Sequence, residues 1–242
     1  MGWSYSQWIG NFYPPETKPT EYLREYSKYF KSVEVNSTFY RLPRKDTVWA
    51  WYEATSEDFI FAVKLPQTIT HQNLEDSDKL HSFLDIIKGL GNKLGPILIQ
   101  FPSRFKINEL ERLRGFLEDL PNSNIYAVEF RDKSWFDDKT YRLLQDHKIS
   151  LVHVEHSWLP TTDEITSDFI YIRLQGDRRK VKGDSDEIEN DRSDDNIRWA
   201  HRIEKYLHNN LDVYGYISKF YSGYPPSDLK QLNKLLTPNM RP

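Results

Sequence analysis

Short runs rich in β-branched and aromatic residues recur along the whole chain, separated by segments with apolar residues three or four apart. No other feature constrains the fold as much, because this alternation describes βα units around a parallel sheet. The runs that read as strands are 2–5, 31–36 (KSVEVN), 59–65 (FIFAVKL), 96–101 (PILIQF), 125–131 (IYAVEFR), 149–155 (ISLVHVE), 169–174 (FIYIRL) and 212–218 (DVYGYIS). Their number is that of the strands in a (β/α)₈ barrel. FIFAV, ILI and LVHV are nearly continuous apolar runs, as expected of strands buried on both faces; an antiparallel sandwich would alternate more strictly.

Helical spacing is clear in 20–30 (Tyr22, Leu23, Tyr26, Tyr29, Phe30) and 79–90 (Leu80, Phe83, Leu84, Ile86, Ile87, Leu90), and further helices are expected near 46–55, 108–120, 137–147, 194–209 and 227–236. Asp46, Asn108 and Ser227 suit amino-terminal caps. The sixth connection, 156–167, is weak and reads as a loop or a single turn. A polar stretch, 176–195, reads as a long loop after strand seven, mobile until a ligand closes it, with Gly176 and Gly183 allowing it to bend. A length of 242 residues suits one barrel or two ordinary domains. With no repeat, linker or break in composition, residues 1–242 read as a single α/β barrel domain.

The 7 Trp, 15 Tyr and 13 Phe supply apolar surface for one large core. No run approaches the roughly 20 apolar residues needed to cross a bilayer, and the start MGWSYSQWIGN lacks a basic region followed by an apolar stretch. A cytoplasmic protein with no membrane partner is expected. The absence of cysteine excludes disulfide partners, thiolate metal sites and a cysteine nucleophile. A net charge of −3 argues against non-specific coating of nucleic acid and leaves a local basic site open. There is no GxxxxGK[ST] loop, GxSxG elbow or dinucleotide fingerprint.

In order, GWSYSQWIGNFYP (2–14), VEVNSTFYRLP (33–43), FIFAVKLPQTITH (59–71), LGPILIQFP (94–102), YAVEFRDKSW (126–135) and DFIYIRLQG (168–176) resemble the YecE-like family, domain of unknown function 72. The resemblance spans most of the chain. It implies a TIM barrel similar in layout to the xylose-isomerase-like and endonuclease-IV-like barrels and leaves the activity open, since one fold hosts many chemistries. Two positions depart from the pattern: Gln175 stands where a histidine is common, and Ser218-Lys219-Phe220 replaces an Asn-rich end of strand eight. Related sequences enter GWSY from a longer strand, so strand one is expected to be unusually short and a native upstream extension to be stabilising.

In a parallel barrel the ligand site lies at the carboxyl ends of the strands. Glu34 and Asn36, Lys64, Gln100, Glu129 and Arg131, His153 and Glu155, and Arg173 and Gln175 end strands two to seven. Buried charges must meet one another or a ligand. Glu129 and Glu34, as a carboxylate pair, and His71, in the loop QTITH, are the candidate catalytic residues. The candidate ligand-binding residues are Asn36, Lys64, Gln100, Arg131, Arg173 and Gln175 at strand ends, Trp8, Tyr40 and Trp135 among the loop aromatics, and Arg178, Arg179 and Lys219 as an anion-binding cluster. With His153 or Glu155 the carboxylates would suit a divalent metal. The sequence has no HExxH pattern or short histidine pair, so a metal is not favoured and no cofactor is named.

Three functions stay open. The first is an enzyme acting on a phosphate-bearing or nucleic-acid ligand, the second a non-catalytic nucleic-acid or nucleotide-binding protein, and the third a sugar or small-metabolite isomerase or hydrolase. An anionic small molecule or a nucleic acid is the expected partner.

Overall fold

The computed structural model describes residues 1–156 and 158–236. Seven strands, β1 (Ser32–Val35), β2 (Ile60–Lys64), β3 (Leu94–Gln100), β4 (Tyr126–Glu129), β5 (Ser150–Glu155), β6 (Phe169–Leu174) and β7 (Asp212–Ile217), follow one another in sequence order. All neighbours pair in parallel, and the sheet curls into a nearly closed α/β barrel.

The first expected strand, 2–5, does not form. Gly2 takes φ +75°, outside the strand region, and the Tyr5 hydroxyl turns back to donate to the Met1 carbonyl at 2.8 Å. The chain then enters a 3₁₀ turn, Ser6–Trp8. Its first residues still occupy the seam, where the Met1 ammonium donates to the Ile217 carbonyl of β7 (2.7 Å) and the Gly2 amide to the Glu34 carbonyl of β1 (2.9 Å).

The helices are α1 (Tyr22–Ser27), α2 (Ser37–Tyr40), α3 (Lys45–Glu53), α4 (Ser77–Ile87), α5 (Leu110–Glu118), α6 (Asp138–Asp146), α7 (Ser193–His208), α8 (Lys219–Ser222) and α9 (Pro225–Leu236). The expected caps lie inside first turns instead: Asp46 is within α3, Asn108 within the 3₁₀ turn Ile107–Glu109, and Ser227 within α9, which starts at Pro225. Proline suits a first helical position because its missing N–H would have had no partner there. Asp76 and Asp137 cap α4 and α6 by accepting from the Lys79 and Thr140 amides. The sixth connection carries no helix among its described residues; Ser157 lies outside them.

The loop between β6 and α7 is tied down. Glu189 accepts from the Lys182 and Gly183 amides (2.8 and 2.7 Å), the Glu189 and Asn190 amides donate to the Ser222 carbonyl, and Val181 is buried. Among the described residues no helix is long and apolar enough to cross a membrane.

Period-two alternation sorts each strand between two cores. Ala62, Leu98, Ala127, Val152, Val154, Phe169, Tyr171 and Tyr216 fill the barrel interior. The opposite parity, including Val63, Ile99, Val128 and Phe130, packs under the helices.

Candidate functional site

The parity that buries Ala62, Leu98, Ala127 and Tyr171 inside the barrel sends the residues two places on, Lys64, Gln100, Glu129 and Arg173, inward at the strand ends. Glu34 joins them from the end of β1. A polar layer therefore sits on the apolar interior, with Glu34, Lys64, Glu129 and Arg173 all buried.

Arg173 organises this layer. Its Nε and Nη2 donate to the two oxygens of Glu34 at 2.9 and 2.8 Å, a bidentate pair, while Nη1 donates to Glu129. Glu34 also accepts from the Tyr171 hydroxyl (2.8 Å) and Asn36 Nδ2 (2.7 Å). Arg131 forms an ion pair with the other Glu129 oxygen. Lys64 donates from Nζ to Gln100 Oε1 at 2.7 Å and lies 3.8 Å from the centre of the Phe39 ring. The Thr38 hydroxyl fixes that ring by reaching from α2 to the Lys64 carbonyl at 2.7 Å.

These contacts set the protonation states. Burial alone would push the Glu129 carboxyl up, but Arg131 and Arg173 outweigh it and hold the group down at about 2. Burial likewise opposes ionisation of Glu34, and Arg173 again wins, keeping it below the ordinary carboxylate range. Burial, with Arg173 close by, brings the Lys64 ammonium down to about 7 against the pull of Glu129 and Glu34. Burial, followed by Lys64, brings His71 to about 4.

A general base works best with a pKa near the working pH. Glu34 and Glu129, the expected catalytic carboxylates, are held ionised by Arg173, with Glu34 also accepting from Tyr171 and Asn36 and Glu129 paired with Arg131. They lie beneath the cleft as a polar floor, and Lys64 beside them is brought to about 7.

Above this floor opens a cleft of about 580 Å³. Asn36, Tyr40, Lys64, His71, Gln100, Arg131, Arg173, Gln175, Arg178 and Lys219 all line it. His71 lies in a π-helical turn, Thr68–Gln72, with Nδ1 2.8 Å from the Thr70 hydroxyl and its ring edge against Phe39. Gly176 adopts φ +69°, where a Cβ would lie 2.0 Å from the Phe220 carbonyl oxygen. Only glycine lets the end of β6 press against α8 so closely, and this contact brings Lys219 and Phe220 to the rim.

Three expected ligand contacts lie elsewhere. Trp8 is buried among Tyr5, Phe12, Tyr13 and Tyr224, where its large ring packs in the core. Trp135 is fully buried between Phe105 and Phe130, its indole N–H donating to the Phe105 carbonyl at 2.7 Å. Arg179 folds onto Asp177 with bonds of 3.1 and 3.0 Å and does not line the cleft. His153 and Glu155 share the outward parity of β5: the His153 ring meets the Tyr206 hydroxyl and the Glu164 carbonyl, and Glu155 accepts from the Trp199 indole. They do not join Glu34 and Glu129 as metal ligands, and no group of three His, Asp or Glu side chains among the described residues is placed to hold a metal ion.

Tyr171 is a site residue that sequence reasoning missed, and Phe39 is one that it weighed only as one of the loop aromatics able to stack on a ligand or to pack. Tyr171 was within reach of it, because it sits two residues before Arg173 and so shares its face. Phe39 gave no such signal, since its position over Lys64 depends on α2 docking against β2.

The cleft is electropositive. Lys64, Arg131, Arg173, Arg178 and Lys219 line it, and among the described residues no carboxylate does. Glu34 and Glu129 lie beneath, and Asp184 accepts from Lys219 at 2.7 Å. Even without Lys64, four cations (Arg131, Arg173, Arg178 and Lys219) against three carboxylates leave a positive excess, and a concave site with low-dielectric walls concentrates its field. Among the described residues the buried Gln175 Nε2 has no hydrogen-bond partner, a donor left available to an acceptor in the cleft.

The whole chain, residues 1–242, matches the family model described as protein of unknown function DUF72. The UPF0759 protein YecE of Escherichia coli K12 is 35% identical over 136 residues, covering 55% of this chain and 47% of that protein. The UPF0759 protein YunF of Bacillus subtilis 168 is 32% identical over 144 residues, covering 54% and 50%. The chain thus spans about half the length of the curated relatives it matches. A crystal structure of the DUF72 family protein TM1631 from Thermotoga maritima superposes with a TM-score of 0.83 at 26% identity, over 98% of this chain and 96% of that one. The Enterococcus faecalis DUF72 protein EF0366 is similar in fold, with a TM-score of 0.74 at 22% identity, over 89% and 93%.

Proposed function

The chain belongs to the DUF72 family, and from that premise we propose that its cleft binds a small phosphate-bearing ligand and acts on it by acid–base chemistry. One observation carries the reading: Lys64, Arg131, Arg173, Arg178 and Lys219 line a cleft that has no carboxylate among its described lining residues. Arg173 and Arg131 are anchored from below, and Arg178 and Lys219 come from the loops after β6 and β7, the side on which many barrels hold phosphate. The unpartnered Gln175 amide adds a neutral donor. A volume of about 580 Å³ lies within the usual range for small-molecule sites and suits a sugar phosphate or a mononucleotide.

A second reading, nucleotide or nucleic-acid binding without turnover, is favoured by Tyr40. Its ring is 75% exposed at the cleft mouth and offers a face for a base.

Calorimetric titration with inorganic phosphate, a mononucleotide and a short oligonucleotide tests both readings, using the parent chain and an Arg178→Ala/Lys219→Ala variant that leaves the buried network intact. Saturable phosphate binding, weakened roughly tenfold or more in the variant, is expected. No heat with any of the three at millimolar ligand would end the reading. A response to the oligonucleotide alone would favour the second.

A further inference from the structure

Lys64 holds an unusual place in the cleft. It ends β2 on the inward parity, it is buried, and its Nζ has one hydrogen-bond acceptor, Gln100 Oε1, besides the face of Phe39. No ion pair with a carboxylate joins these contacts among the described residues, although Glu129 and Glu34 lie in the same polar layer. Both carboxylates are already taken by Arg173, which adds its own charge to the surroundings of the amine.

A comparison within the chain shows what a purely structural buried lysine looks like. Lys93 is also buried, but its ammonium donates to the Tyr52 carbonyl (2.5 Å), the Thr55 carbonyl (2.9 Å) and the Thr55 hydroxyl (3.3 Å), a full set of three acceptors well away from the cleft. Among the described residues Lys64 has neither that set nor a counter-ion, and it lines the cleft. An amine desolvated among other cations is the form in which lysine becomes a nucleophile towards carbonyl carbon.

We infer that Lys64 forms an imine with an anionic aldehyde or ketone whose phosphate or carboxylate is held by the cationic wall of the cleft, an inference that rests on the anion-site reading above. The lone pair of the neutral Nζ adds to the carbonyl carbon, and the carbonyl π electrons move to oxygen. Two protons pass from nitrogen to that oxygen, which leaves as water, and a C=N bond remains. Taking up a proton from solvent water on nitrogen, the imine becomes an iminium that withdraws electrons from the neighbouring carbon, as isomerisation or carbon–carbon cleavage requires. Arg173, near the end of β6, and Arg131, just beyond β4, line the same cleft, as does His71, whose ring meets the same Phe39 ring.

The test uses pyridoxal 5′-phosphate as an anionic aldehyde probe and pyridoxal as its uncharged-tail counterpart. The intact chain is treated with each at pH 7, reduced with borohydride, and mapped by peptide mass spectrometry, while calorimetry with inorganic phosphate is run in parallel. Lys64 is expected to label faster than exposed lysines such as Lys28 and Lys31 by on the order of tenfold or more, since far more of its amine is unprotonated. Phosphate should protect it, pyridoxal should label it weakly, and Lys93 should stay unmodified. Lys64→Arg should lose the fast label while Lys28 and Lys31 label as in the parent.

If phosphate binds and Lys64 labels no faster than the surface lysines, the imine inference is overturned and the anion site stands. If Lys64 labels equally with both aldehydes and phosphate neither binds nor protects, the nucleophile stands and the anion reading falls. If phosphate does not bind and Lys64 does not label, both fall.

Discussion

Replacing Glu129 by Gln removes one charge from the buried layer while keeping the shape of the side chain. In the parent, Glu129 is fully buried, accepts from Arg173 Nη1, and pairs with Arg131. The variant leaves Arg173 its bidentate pair with Glu34, so the uncompensated charge is that of Arg131, whose side chain, 22% exposed, can turn to solvent. The stability at stake follows from the displacement of the carboxyl from its ordinary 4.5 to about 2. At about 1.36 kcal/mol per unit, that is about 3 kcal/mol at neutral pH, at the lower edge of the roughly 3–5 kcal/mol found when one partner of a buried ion pair is removed. For a chain of this size it corresponds to a loss of roughly 6–12 °C in melting temperature.

The sign of the pH dependence follows from the same displacement. A carboxyl depressed in the folded state contributes stability that is complete above its unfolded value and lost as pH falls through the folded one. The parent should therefore lose about 3 kcal/mol to this group between pH 5 and about pH 2, and Glu129→Gln should lack that component. Urea unfolding of both proteins at pH 7, 5, 4 and 3 measures it. A variant within 1 kcal/mol of the parent at pH 7, or a gap that does not narrow on acidification, would refute the argument that the layer is held by charge pairing.

Two further outcomes are expected. Lys64→Met should raise the melting temperature at pH 7, because an amine brought from 10.5 down to about 7 resists folding by about 4–5 kcal/mol while charged, less roughly 1–3 kcal/mol for the Gln100 oxygen left without its donor. Stability of the parent rises with pH between those two values, so the advantage of the variant should shrink from pH 7 to pH 10.5, and melts across that range would show it. Trp135→Ala should cost about 3–5 kcal/mol through the cavity between Phe105 and Phe130 while leaving phosphate affinity unchanged, and a calorimetric change in affinity without loss of stability would return Trp135 to the ligand site.

Strand positions, parallel order and the inward set of charges were legible locally. A run such as IYAVEFR sets small Ala127 and charged Glu129 on one parity against Val128 and Phe130 on the other, so the side facing a narrow barrel interior can be read directly. The strand SLVHVE sets Val152 and Val154 on one parity and His153 and Glu155 on the other, and the strand alone does not say which parity faces the barrel. There the polar residues pointed outward, since α7 supplies Tyr206 and Trp199 as partners. The loop aromatics failed as ligand candidates for a related reason: a large ring beside a strand end can line a cleft or fill the core, and its sequence neighbours do not decide which.

The sequence by itself determined which residues could form a charged layer at the mouth of a barrel, because backbone alternation is a property of each strand alone. Only the tertiary structure decided what that layer does. Arg173 meets Glu34 across 139 positions of chain and Glu129 across 44. Once those pairings close, both carboxylates are locked as anions and Lys64 is left with an amide and a ring. Protonation depends on burial and on neighbouring charge, and both arise only when strands far apart in sequence are brought into one ring.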